Sequence, residues 1–438
     1  MTSQDIHLVS AFPTGNFGGK TVRVADLNGD GAPELLITQA VYGQRSITCQ
    51  TAVSLHGEVL WQVGKPAVEN GDVYCDLPVQ VYDWDGDGRN EVLYIKQAGY
   101  AQPILYEENE RYREHKICER AARYEGHATL VVLDAQTGQQ KATLPMPAAA
   151  DDCLLFADLT GRGRRQDLIV KDRYWNMWGV SHEGDVLWHW KGSAGHFPAV
   201  ADIDGDGRDE VFVGYALLDH DGSELFVMDW PGWGDGKEDD YGVPVHQDAT
   251  YVCQLNDGSW RLLIGNGGIH CLDATGRELW HHLLVFEEAQ HVVVGRFSAE
   301  TELQAAVIDR GYPRTAEGDP ACLYLFDVET GRELWRRPQL PGGWVAACMK
   351  VCWSDPRGLE ELLVYNRGTD APAAIYDGRG DIVAEFPDPP DGYCRAADVW
   401  GDSRDEVILG GPSEIRIYAN RRPLAVPTLY NSTVYHGM

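Results

Sequence analysis

The chain is 438 residues long, with 37 Lys and Arg against 67 Asp and Glu, and its formal charge of −30 argues against a nucleic-acid backbone or an anionic membrane as partner. At 44% hydrophobic and 10% aromatic it has ample material for a large core, yet it holds no apolar run of the roughly 18 residues that a membrane-spanning helix needs. Ten cysteines without a framework spacing suit a reducing compartment, and Cys348 and Cys352, about 13 Å apart on one strand face, are too distant to share a metal.

The opening stretch, MTSQDIHLVSAFPTG, has neither a basic segment nor a continuous apolar one, so the expectation is a chain without a secretory leader, in the cytoplasm. The first unit follows: a short apolar strand (TVRVA), an Asp/Gly turn (DLNGDGAPE from Asp26), a second strand (ELLIT), and a hairpin with an aromatic outer strand (LHGEVLWQV). The second unit repeats this order with PVQVY, DWDGDGRNE from Asp83 and EVLYI, then a long insertion between Gln97 and His127 before LDAQTGQQKATL. The third has a degenerate turn, DLTGRGRRQD from Asp158, and the outer strand of SHEGDVLWHW; the fourth has the intact turn DIDGDGRDE from Asp202. Units five, six and seven keep the flanking strands only, at QLNDGSWRLLI from Gln254, RFSAETELQAAV from Arg296 and WSDPRGLEELLV from Trp353; unit eight carries DVWGDSRDE from Asp398 and ends soon after IRIYAN.

Apolar runs of this length between turn signals read as strands, and four strands per unit is a propeller blade. The sequence therefore predicts an all-β fold, an eight-bladed β-propeller of four-stranded antiparallel blades forming a single domain over residues 1–438, with seven blades as the alternative if one degenerate unit is not a blade. Unit eight lacks an outer strand, which the N-terminal IHLVSAF would supply, closing the ring and removing its open edges. The recurring Trp of the outer strands reads as a core wedge.

Carboxylates and carboxamides at turn positions one, three, five and nine cluster hard oxygen ligands suited to Ca²⁺. The expected structural calcium ligands are Asp26, Asn28, Asp30 and Glu34; Asp83, Asp85, Asp87 and Glu91; and Asp202, Asp204, Asp206 and Glu210. Here strands flank the turn, which resembles the calcium turns of integrin α-type propellers. In the degenerate turns the same residues read as ordinary side chain to backbone turn chemistry.

These turns join the first two strands of each blade and so mark one face of the disc; a binding site is expected on the other. Six positions before each turn stand Lys20, Leu77, Asp152, His196, Asp248, Gln290, Ala347 and Gly392, with Tyr74, Asp76, Asp151, His246, His291, Trp344, Tyr393 and Arg395 beside them. Loops between second and third strands add Tyr42 and Arg45, Tyr100, Arg173 with Tyr174 and Trp175, Arg310 with Tyr312 and Arg314, and Asn366 with Arg367. Aromatic rings beside Arg suit sugars that bear carboxylates, since the ring stacks and the guanidinium pairs with the acid. The expected substrate-binding set is Lys20, Tyr42, Arg45, Arg173, Tyr174, Asp152, Asp248, His291, Trp344 and Arg367, and the expected partner is an acidic oligosaccharide. His291, next to VVVG, also fits a satisfied interior histidine.

At GHFPAVADIDGDGRDEVFVGYALLDHDG, followed by VPVHQDATYV, the chain resembles the rhamnogalacturonan lyases and related lyases of rhamnose-uronate linkages. The resemblance implies an eight-bladed propeller with bound calcium and a basic, His-containing cleft. Elimination at a 4-linked uronate needs a cation on the carboxylate, a base for the C5 proton and an acid for the leaving oxygen. Arg314, Arg367 or Arg395 suits the first, His196 or His246 the second, and Tyr312 or Tyr251 the third. The expected catalytic set is His196, His246, Tyr312, Arg314 and Arg395. The chain departs from the family in showing no leader and no appended β-domain, which points to imported oligosaccharides as substrates. Glycoside hydrolysis through Asp152 and Asp248 is a second expectation, and a non-catalytic binding propeller a third.

Overall fold

The computed structural model describes residues 5–40, 47–67, 76–97, 128–150, 153–171, 176–192, 194–228, 247–265, 268–284, 289–309, 322–339, 345–367, 369–387 and 391–423. Within these the chain forms thirty-two strands and no helix, arranged as eight four-stranded antiparallel sheets. No helix of the described residues is long and apolar enough to cross a membrane.

Blades one to seven occupy residues 21–64, 79–146, 154–191, 199–227, 249–282, 289–338 and 345–385 in chain order. The eighth is assembled from Arg395–Ala397, Glu406–Leu409 and Glu414–Asn420, with Ile6–Pro13 as its outermost strand. That N-terminal strand pairs antiparallel with Glu414–Asn420, so both ends of the chain close one sheet as the sequence predicts. The innermost strands Thr21–Ala25 and Arg395–Ala397 touch, joining blade eight to blade one.

The core lies between blades. Strand periodicity sends alternate side chains to opposite faces of a sheet. In Glu34–Ala40, buried throughout, Leu36 packs toward blade two with Val79 and Val92, while Leu35 and Ile37 pack toward blade eight with Ile408 and Ile415. Second strands such as ELLIT and EVFV are therefore apolar on both faces.

The outer Trp residues do more than wedge. Trp61, Trp188, Trp280 and Trp335 each donate their indole N–H to a backbone carbonyl of the next blade, on Ala135, His220, Val328 and Gly378, at 2.7–2.9 Å. Gly222 in the hairpin of blade four adopts φ +82° and lies so close to Trp188 that a Cβ would come within 2.7 Å of the indole. This is why the hairpin motif demands glycine there. The eight described cysteines carry free thiols, and burial raises the Cys348 thiol well above its ordinary value.

Candidate functional site

Each complete turn is built by its own side chains. Asp202 Oδ1 accepts from Gly205 N–H (2.8 Å) and Oδ2 from Gly207 N–H (3.1 Å), while Glu210 Oε2 accepts from Ile203 N–H (2.5 Å). Asp26 and Glu34, and Asp83 and Glu91, repeat these bonds in blades one and two. The degenerate turns retain the closing bond: Asp167, Glu361 and Glu406 cap the turn, and in blade six Gln304 Oε1 accepts from Ser298 N–H at 2.7 Å; turns three and eight also keep the first carboxylate, Asp158 and Asp398, which accept from backbone N–H groups of the turn. Side chain to backbone bonding accounts for those turns on its own.

In blade four something is left over. Oxygens of Asp202, Asp204 and Asp206 lie within 4.8 Å of one another. The Glu210 side chain is fully buried, and its Oε1 has no hydrogen-bond partner among the described residues. Burial, with Asp204 and Asp219 adding repulsion, pushes the Glu210 carboxyl up to about 7. An orphaned buried oxygen beside three carboxylates is a donor set that fits a hard divalent cation. In blade one the Asn28 side-chain amide spans Asp30 (3.1 Å) and Glu34 (2.6 Å), and in blade two the space between the carboxylates is entered by Lys141.

On the opposite face the inner strands bring together side chains from four blades. Asp76, just before the strand Val79–Tyr82, accepts from Thr21 Oγ1 (2.9 Å), Arg23 Nη1 (3.0 Å) and Arg395 Nη2 (2.5 Å). The two guanidiniums are fixed further by backbone carbonyls, Arg23 by Leu77 and Val79 and Arg395 by Val22 and Cys394. Burial alone would push the Asp76 carboxyl up, but Arg23 and Arg395 overcome it and hold it at about 2. Two positive charges thus share one negative. Arg367, 3% exposed at the end of the strand Glu361–Arg367, lies 4.6 Å over the Tyr393 ring, with Arg395 at 6.0 Å from the same ring. Lys20 pairs with Asp391 at 3.3 Å, and its carbonyl accepts from Tyr393 N–H.

A second group stands between blades four and five, on the far side of the ring by blade order. His196 Nε2 lies 3.6 Å from Asp248 Oδ1, both side chains largely buried, and His196 N–H donates to the Gln247 carbonyl at 3.1 Å. Gly195, at φ +55°, approaches Gln247 so closely that any Cβ would overlap it, which fixes the entry of His196. Phe197, 38% exposed, sits beside the imidazole at 5.8 Å between centroids and offers an apolar face. His291 belongs to neither group. Its ring is half-buried and sits against Cys348, and desolvation pulls its pKa down, which fits the interior-histidine reading.

Of the expected site residues, Lys20, Arg367 and Arg395 thus gather around Tyr393, and His196 meets Asp248. Tyr251 points to the Val294 carbonyl in blade six. Tyr42, Arg45, Asp152, Arg173, Tyr174, His246, Tyr312, Arg314 and Trp344 lie outside the described residues. The residues that sequence reasoning missed are Arg23 and Phe197. A charged residue in the middle of the apolar strand TVRVA was the available signal for the first, and the G-H-F-P run for the second.

No protein-family model matches the chain. Over 322 residues, 61% of this chain, it is 24% identical to the rhamnogalacturonan exolyase YesX of Bacillus subtilis. Over 317 residues it is 25% identical to the rhamnogalacturonan endolyase YesW of the same organism. These alignments span 51% and 47% of the relatives, so the chain matches about half of their length. The crystal structure of the exotype lyase YesX superposes with a TM-score of 0.63 at 21% identity, covering 93% of this chain and 73% of that one. The Vibrio cholerae biofilm matrix protein Bap1, at 12% identity and a TM-score of 0.60 over 96% of this chain and 91% of that one, shares the fold alone. Over about three-fifths of the chain the sequence, and over nearly all of it the fold, is similar to that of rhamnogalacturonan lyases.

Proposed function

We propose that the chain is a polysaccharide lyase that cleaves a rhamnose-uronate linkage of an acidic oligosaccharide by β-elimination. The observation that carries this reading is the Arg23–Asp76–Arg395 cluster with Arg367 beside it: rigidly held guanidiniums in excess of carboxylate, at the mouths of the inner strands. Such a cluster is a receptor for a sugar carboxylate, because the Arg geometry is set before the ligand arrives. His196 is assigned as the base. Asp248, 3.6 Å away, stabilises by its charge the imidazolium formed when His196 takes the C5 proton. The electron pair of that C–H bond forms the C4–C5 double bond as the C4–O bond breaks, and the departing oxygen takes a proton from an acid. Arg395 and His196 stand four blades apart, so the Arg cluster anchors the carboxylate of one uronate while His196 acts on another sugar unit, whose own carboxylate takes a second cation on the His196 side.

For the hydrolytic alternative, the 3.6 Å approach of His196 leaves Asp248 suited to the base role, and its partner Asp152 lies outside the described residues. We also assign structural calcium to turns one and four, held by Asp26, Asn28, Asp30 and Glu34 and by Asp202, Asp204, Asp206 and Glu210. A bound cation there neutralises the clustered carboxylates and secures the turn.

The test is a screen of rhamnose-uronate polymers and short oligosaccharides for the ultraviolet absorbance of an unsaturated uronide. His196→Ala is expected to lower turnover by about 10²–10⁴-fold, and Arg395→Ala to weaken binding of acidic sugars. A saturated product indicates hydrolysis. Sugar binding without any product indicates a binding propeller. Unchanged elimination in both variants removes the assignment of these residues.

A further inference from the structure

Turns one, two and four carry the same acidic pattern, yet their surroundings differ at one register position. In each blade with a bulged outer hairpin, the outer strand can be aligned on the residue opposite the end of the third strand: Val53 with Val59 in blade one, Leu133 with Gln140 in blade two, Leu218 with Glu224 in blade four. The next residue is Leu60 in blade one, Leu187 in three, Leu225 in four, Leu279 in five, Leu334 in six and Val383 in seven. In blade two it is Lys141.

That lysine reaches back from the outer strand Gln140–Met146 into the turn of its own blade. Its Nζ lies 2.6 Å from Asp85 Oδ2, 2.7 Å from Glu91 Oε1 and 3.8 Å from Asp87 Oδ2. These are turn positions three, nine and five. Position one is served from the next blade, where Arg164 of the degenerate third turn lies 3.1 Å from Asp83 Oδ2 and also donates to the Asp83 carbonyl. Every carboxylate of the second turn is therefore in contact with a cation of the chain itself. The fourth turn is the contrast. Glu210 Oε1, the equivalent of the Glu91 oxygen that Lys141 binds, has no partner among the described residues; of the turn's carboxylates Arg208 and His220 approach Asp206, and His220 lies closer to Asp219, outside the turn, at 2.7 Å.

We propose that Lys141 is a tethered replacement for calcium, so that the second turn is not a calcium site although its ligand set is complete. This rests on the reading of turns one and four as calcium sites. A cation attached to the chain is present at high effective concentration without an ordering step from solution. A divalent ion entering this turn must expel an ammonium held by two charge-assisted hydrogen bonds, one of them to a Glu91 side chain that is 1% exposed. The second turn then stays neutralised where calcium is scarce, as the first and fourth do not.

The experiment counts calcium ions bound per chain by equilibrium dialysis, supported by terbium luminescence excited through tryptophan, since Trp84 lies within the second turn. In the wild type, Asp204→Ala is expected to remove one ion and Asp85→Ala none. Lys141→Leu, which restores the residue of the other blades, is expected to add one ion and to gain terbium emission. Both gains should vanish in the Lys141→Leu, Asp85→Ala double variant; alanine is used because an asparagine at this position is itself a ligand in turn one. Lys141→Met, which keeps an aliphatic stem without the charge, should match Lys141→Leu. The proposal is overturned if Asp85→Ala lowers the wild-type count, or if neither Lys141 variant raises it while both remain folded by circular dichroism. If Asp204→Ala leaves the count unchanged, the calcium reading of the fourth turn fails, an outcome separate from the comparison at Lys141. If no form binds calcium, both readings fall.

Discussion

Replacing Glu406 with Gln isolates one proton in the stability of the ring. Glu406 closes the eighth turn, is 2% exposed, and accepts from Val399 N–H at 2.9 Å and Trp400 N–H at 3.2 Å. Burial, reinforced by Asp402 and Asp398, pushes its carboxyl from an ordinary 4.5 to about 7. The folded state thus keeps a proton that the unfolded chain releases earlier. Its stabilisation is fully present below about pH 4.5 and is lost as pH rises through about 7, a change of about 3 kcal/mol at roughly 1.4 kcal/mol per unit. Glu406→Gln keeps an acceptor for the two N–H groups and removes the titration. Blade six already shows that the fold takes an amide at this position, since Gln304 accepts from Ser298 N–H and donates to the Thr301 carbonyl at 2.9 Å. Urea unfolding of both proteins across this range is expected to show the variant gaining about 3 kcal/mol relative to wild type between its acid and neutral ends. A stability difference that does not change with pH refutes the burial of a protonated Glu406.

Asp76→Asn removes the charge that Arg23 and Arg395 share and is expected to destabilise the fold by about 1–3 kcal/mol in urea unfolding, because two half-buried guanidiniums lose their counterion. Trp188→Phe deletes the indole bond to His220 and is expected to cost about 1–3 kcal/mol, read in the same assay. Gly222→Ala combines a left-handed backbone position with overlap on Trp188 and is expected to lower stability by at least about 2 kcal/mol.

The turns were legible because their bonds are local. Asp202 reaches Gly205 and Gly207, and Glu210 reaches Ile203, so sequence spacing alone carries the geometry. The same holds for the blades. Each is a run of neighbouring antiparallel strands, and even the one exception, the strand Ile6–Pro13, followed from a missing edge in unit eight. The candidate site was legible only in outline. Counting back from the turns found the strand mouths, and so His196, Asp248 and Lys20, but not what each side chain would meet there. Asp76 and Arg395 are 319 positions apart, and nothing in either segment announces the other. Arg23 looked like one charge in an apolar strand until closure of the ring set it beside both.

By itself, then, the amino-acid sequence determined the repeat, the all-β class, the eight blades and the face on which the acidic turns lie, since all of these depend on hydrogen bonds and periodicities spanning a few residues. Only the tertiary structure decided which charges neutralise which. Three turns that are near-identical as sequences differ because Lys141 enters one from 50 residues away and Arg164 reaches the same one from the next blade, while Glu210 Oε1 meets no partner among the described residues. Charge pairing depends on distance in space, and that distance exists only once the ring has closed.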